Sequence, residues 1–229
     1  MKIPWMAKEE IALKASDLLK DFERNAEYAV KPPIPVEDII ERTLGVELRY
    51  VDLQKILGKD DVLGATYVAS RVICVNERLF ENGSEGRVAF TCAHEAGHWV
   101  LHRPFLENGG KVQPGKESIL CRISDAGKPI EWQADYFASC LLMPEEEIKE
   151  AFARICAPEP LVVKRRRGES GKGTRSQEPY LEQWPYIAAA MCELGGFSNV
   201  SRQAMIIRLQ DLGLLLNMTD TKMDWQALW

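Results

Sequence analysis

The chain has 229 residues, of which 46% are hydrophobic and 28% charged, a balance that fits a folded globular protein and excludes collagen-like and disordered classes. Its net charge of −5 and pI near 5.4 argue against non-specific nucleic-acid binding, which needs clustered Lys and Arg. No apolar run approaches the roughly 20 residues of a membrane-spanning helix, the opening MKIPWMAKEE lacks an apolar signal core, and the six cysteines form no CxxC pair, so the expected setting is the cytoplasm, without a membrane partner and with cysteines as small buried hydrophobes.

In chain order, Ile11, Leu18, Leu19 and Phe22 fall on one stripe at helical spacing, which predicts a helix over about 8–29. The prolines at 32, 33 and 35 then force an extended segment. Val36, Ile39, Ile40 and Leu44 predict a short second helix that Gly45 stops. Alternation of Val46, Leu48 and Tyr50 predicts a strand, and Gly64 to Val68 and Val72 to Asn76 predict two more that pair as a hairpin around 69–71. A long helix is expected from about Glu85, with Ser84 as its cap, running through Phe90-Thr-Cys-Ala-His-Glu-Ala-Gly-His-Trp-Val-Leu-His102. Loop follows to about residue 128, with a strand near 119–123, and then an apolar helix from Ile130 to Leu142. Pro144 opens another helix whose first turn carries Glu145, Glu146 and Glu147. Residues 157–183, with the basic run Lys164 to Arg167 among Gly and Ser, read as a solvated linker. Two helices near 184–194 and 202–212 complete a helical, helix-turn-helix-like region over 184–229. The order of elements predicts an α+β domain over residues 1–156, built on a small twisted sheet, with a small α-helical C-terminal region.

The chemistry concentrates at His94-Glu-Ala-Gly-His98, an HExxH motif. Residues four apart share a helix face, so two imidazoles at this spacing reach one metal ion. Glu95, the next residue along, is placed to take a proton from a water that the metal activates. A catalytic zinc commonly has a third protein ligand and an open position. His102 continues the four-residue series but lies about 12 Å along a straight helix from His94, too far to share the ion. Cys92, two residues before His94, points to another side of the helix. Glu131 is the better candidate, because Asp135 follows it by one turn. That pair provides one carboxylate for the metal and one for the outer nitrogen of a ligating histidine. Two histidines and a carboxylate suit Zn2+, although non-haem iron uses the same set.

The segments HEAGHWVLH and EWQADYFASCLLMP resemble the ImmA/IrrE family of metallo-endopeptidases. Leu44-Gly-Val46, Val72 to Asn76, Phe90-Thr91, Phe197 to Ser201 and Arg208 to Gly213 are similar to it as well. The resemblance extends over about residues 36–213, and the loop at 157–180 reads as an insertion. It implies a zincin-like fold with a gluzincin-like site, in which His94, His98 and Glu131 hold zinc and Glu95 is the base. It also implies a protein substrate, a repressor often of helix-turn-helix type.

Two other functions stay open on the residues alone. One is a DNA- or repressor-binding regulator with a structural or vestigial metal site, its second helix formed by Val200 to Leu209. The other is a metal-dependent hydrolase acting on a bond other than a peptide.

Overall fold

The computed structural model describes residues 4–59, 61–81, 85–108, 118–122, 129–156, 158–164 and 183–218. They fall into two compact units that divide after Pro144.

In the first unit, helix α1 (Lys8–Ala26) buries Ile11, Ala15, Leu18 and Phe22 along the stripe its sequence predicts, with Leu19 half-buried beside it. Helix α2 (Val36–Asp38) continues as a wider π-type turn over Ile39–Thr43, and Gly45 ends it at φ +61°, a backbone that only glycine adopts without strain. Strand β1 (Glu47–Val51) and a short helix α3 (Leu53–Leu57) follow. Strands β2 (Val62–Tyr67) and β3 (Val72–Asn76) form the expected antiparallel hairpin. With β4 (Ser118–Arg122) they make a four-stranded sheet in the order β1-β3-β2-β4, β1 running parallel to β3 and β4 antiparallel to β2.

Pairing register decides what each face of this sheet offers. Gly64 pairs with Val75 and Thr66 with Ile73, while Leu48 and Tyr50 pair with Ile73 and Val75, so these residues share one face. Helix α4 (Glu85–Gly97) packs on β2 and β3. Its Cys92 sulfur lies 3.6 Å from the Tyr50 hydroxyl. On the opposite face Ala65, Val72 and Cys74 cluster with Leu53 of α3.

Helix α4 does not continue as one regular helix. A π-type turn spans His98–His102 before α5 (Arg103–Asn108). Helix α6 (Pro129–Leu142) packs against both α1 and α4. At its contact with α4, a Cβ on Gly97 would stand 3.2 Å from the Ala134 backbone and from Phe137. Glycine there is what lets the two helices approach so closely. The proposed cap, Ser84, lies outside the described residues.

The second unit contains α7 (Glu145–Ile155), α8 (Trp184–Leu194) and α9 (Arg202–Asp211). Helix α9 is capped by the Ser201 hydroxyl, which accepts from the Ala204 N–H at 3.1 Å. Within the stretch read as linker, Leu161–Lys164 form a strand, β5, paired in parallel with β6 (Leu215–Met218). The rest of the basic run, residues 165–167, lies outside the described residues. No helix among the described residues is long and apolar enough to cross a membrane.

Candidate metal centre

His94 and His98 stand one turn apart on α4 and its π-type extension, and Glu131 stands in the first turn of α6. All three are buried. The close α4–α6 contact at Gly97 brings the two helices together where these side chains meet. His94 Nε2 lies 2.9 Å from His98 Nε2 and 3.2 Å from Glu131 Oε2. His98 Nε2 lies 3.5 Å from the same carboxylate oxygen. Two donors each about 2.0–2.1 Å from a tetrahedral zinc lie about 3.3 Å apart, so the three separations bracket the edge of such a site. This is the group of His, Cys, Asp and Glu among the described residues whose ligand atoms converge within 4.8 Å.

The outer nitrogens of both imidazoles are also engaged. His94 Nδ1 is 2.8 Å from Asp135 Oδ1, one turn after Glu131 on α6. A carboxylate accepts and does not donate, so the Nδ1 proton belongs to His94 and its Nε2 is left with a lone pair. His98 Nδ1 is 2.8 Å from His102 Nδ1. The residues therefore fit a divalent metal in both donor geometry and tautomer.

Their charges fit as well. Burial works to raise the Glu131 carboxyl, but the His94 and His98 rings beside it outweigh that and hold the group down at about 2. Burial also pushes His98 below the ordinary histidine range. Both shifts keep the ligand atoms unprotonated at neutral pH, the state in which they bind metal.

Glu95, beside His94 on α4, reaches the sheet. Its Oε2 accepts a 2.6 Å hydrogen bond from Thr66 Oγ1 on β2. Its Oε1 is buried and has no hydrogen-bond partner among the described residues. The space comes from Gly64, where a Cβ would stand 2.8 Å from both Cγ and Cδ of Glu95. Burial pushes the carboxyl up to about 7; the His94 charge and the Thr66 hydrogen bond pull it down, and the Glu131 charge adds to the rise. A carboxyl held near neutrality can both take and return a proton at physiological pH.

Three residues here escape sequence reasoning. Thr66 and Gly64 lie far from Glu95 in the chain, and only the register of β2 against α4 brings them to it. His102 is kept off the triad, as its position along the helix predicts, yet it is fully buried and packs behind His98. Burial and the neighbouring His98 hold its pKa down at about 4. Cys92 faces the sheet rather than the triad, as its spacing predicts.

Among protein families, the model described as the IrrE N-terminal-like domain, a peptidase family, matches residues 41–159, more than half of the chain. His94, Glu95, His98, Glu131 and Asp135 all lie within that span. Comparison with curated proteins gives no match.

Proposed function

The chain belongs to the IrrE N-terminal-like family of peptidases, and from that premise we propose that it is a zinc-dependent endopeptidase whose substrate is a repressor protein of helix-turn-helix type. In this reading His94, His98 and Glu131 hold the metal, Asp135 orients His94, and Glu95 is the general base. The observation that carries the reading is the convergence of three buried ligand atoms next to a buried carboxyl held near pH 7.

The chemistry zinc supplies when bound is Lewis acidity, which polarises the scissile carbonyl and lowers the pKa of a water molecule toward neutrality. The remaining work belongs to the side chains. Glu95 takes a proton from the attacking water as the new C–O bond forms. It then delivers that proton to the amide nitrogen as the C–N bond breaks, and the second water proton passes from the new carboxyl to the amine, so the products are a carboxylate and an ammonium group. Thr66 holds one Glu95 oxygen, which leaves the other available for this transfer.

The endopeptidase and repressor parts rest on the likeness of EWQADYFASCLLMP and of residues 197–213 to ImmA/IrrE proteins. We assign residues 1–156 to the peptidase domain, since the family match runs past Pro144 and includes α7. The 184–229 region is read as helix-turn-helix-like, and its described elements α8, α9 and β6 share one compact unit with α7. Within its α9, Arg208 is buried and bonds Asp211 at 3.2 Å, so it is not placed for phosphate contacts, which need exposed cations.

Metal analysis and proteolysis test the proposal together. Purified protein should carry one zinc per chain, and His94→Ala should lose it. Wild type should cut a candidate repressor, stop after chelation and recover on zinc addition. Undiminished cleavage by chelated protein would overturn the reading.

A further inference from the structure

His98 has a partner behind it, and that partner has one of its own. His98 Nδ1 lies 2.8 Å from His102 Nδ1. His102 Nε2 lies 3.3 Å from Gln133 Oε1, on the α6 turn that also carries Glu131. Gln133 Nε2 donates at 3.1 Å to the Pro4 carbonyl. His98, His102 and Gln133 are all almost fully shielded from solvent. The segment at Pro4 is held in place by its neighbour Trp5, which stacks on Trp132 of α6 with ring centroids 4.6 Å apart and planes 14° apart.

We infer that His102 and Gln133 are positioning residues for His98, forming with the Pro4 carbonyl a buried hydrogen-bond chain that fixes the ring and tautomer of this metal ligand. The inference rests on the metal-site reading above. If His98 gives its Nε2 lone pair to a metal, its proton must sit on Nδ1. That proton is donated to His102 Nδ1, so the proton of neutral His102 sits on Nε2. It is donated in turn to the Gln133 carbonyl oxygen, and the Gln133 amide completes the chain at Pro4. Every donor meets one acceptor and every link points the same way, away from the metal.

His102 follows His98 by four residues, a spacing that returns the two side chains to one side of the helix. Over His98–His102 the turn is wider, and the two ring centroids come to 5.0 Å. Partners behind ligating histidines typically affect metal affinity by about 10- to 100-fold. His94 has a carboxylate in this role, and His98 has a neutral imidazole tied to an amide.

The test is zinc affinity of the full chain, measured by competition with a chromophoric chelator, beside thermal melting of the metal-free proteins. His98→Ala should abolish tight binding. Gln133→Leu and His102→Phe should weaken it about 10- to 100-fold, whereas Gln133→Glu, which keeps an acceptor for His102 but loses the donor to Pro4, should weaken it less. If metal-free melting shows that a variant is unfolded, nitrogen-15 spectra of zinc-loaded wild type carry the test, and His102 should be protonated on Nε2 and bare on Nδ1. A folded Gln133→Leu that binds like wild type, or a His102 protonated on Nδ1, would overturn the positioning role alone. Equal zinc binding by wild type and His98→Ala would instead overturn the metal-site reading, and the positioning role with it.

Discussion

Thr66 Oγ1 donates to Glu95 Oε2 at 2.6 Å, so a strand residue holds the carboxylate proposed as general base. A hydrogen bond to a charged group contributes about 1.5–3 kcal/mol. If Thr66 aligns Glu95, Thr66→Val should lower kcat by about tenfold to hundredfold and leave zinc affinity unchanged. Thr66→Ser keeps the hydroxyl and should recover most of the activity. Equal kcat for the valine and serine variants would remove Thr66 from the account.

Gly64 and Glu95 occupy space that a methyl group cannot share. Gly64→Ala should destabilise the fold by about 1–3 kcal/mol through overpacking. In a Glu95→Ala background the same substitution should cost much less, because the clashing carboxylate is gone. A double-mutant cycle in urea measures the coupling, and additive effects would contradict the contact.

Asp135 accepts from His94 Nδ1 at 2.8 Å. Asp135→Ala should weaken zinc binding by about tenfold or more, and Asp135→Asn, which retains an acceptor, by less. Chelator competition reads both values. Wild-type affinity in the alanine variant would show that His94 does not need this carboxylate.

Cys192 is buried on α8, and its thiol donates to the Val200 carbonyl at 3.6 Å. Burial pushes its pKa up to about 11, with Arg202 opposing and Glu193 adding to the rise. The unfolded thiol ionises first as pH rises through the ordinary range, near ~8.5. Its contribution to stability is therefore intact below that range and falls as pH climbs toward 11. At pH 8 the folded thiol stays protonated, so iodoacetamide should label Cys192 far more slowly than in the denatured chain. Mass spectrometry of the peptide containing Cys192 checks this, and equal labelling rates would contradict the burial.

Much of the site is legible in local spacing. The separation of His94 from His98, and of Glu131 from Asp135, is one helical turn, and one-turn pairs can be read directly from sequence. The long elements α1, α4 and α6 are equally plain because each repeats its apolar stripe. What spacing does not reveal depends on contacts between distant segments. Gly64 and Thr66 look like ordinary strand residues until the sheet register sets them on the α4 side. His102 looks surplus to the site, because its distance from His94 keeps it off the ion and its contacts with His98 and Gln133 leave no mark in the periodicity. Gln133 sits unnoticed between Glu131 and Asp135. The short elements α3 and α5 have too few residues for a period, and β5–β6 pairs segments far apart in the chain.

Glu95 is proposed to carry the proton in a metal-dependent hydrolysis. The most direct measurement of this role is cleavage of a candidate repressor by Glu95→Gln loaded with zinc to the wild-type stoichiometry. Glutamine keeps the size of the side chain and can accept from Thr66, but it cannot take a proton from water. Loss of the base should leave zinc content normal and lower the rate by about 10²- to 10⁴-fold. Normal zinc content with a wild-type rate would contradict it.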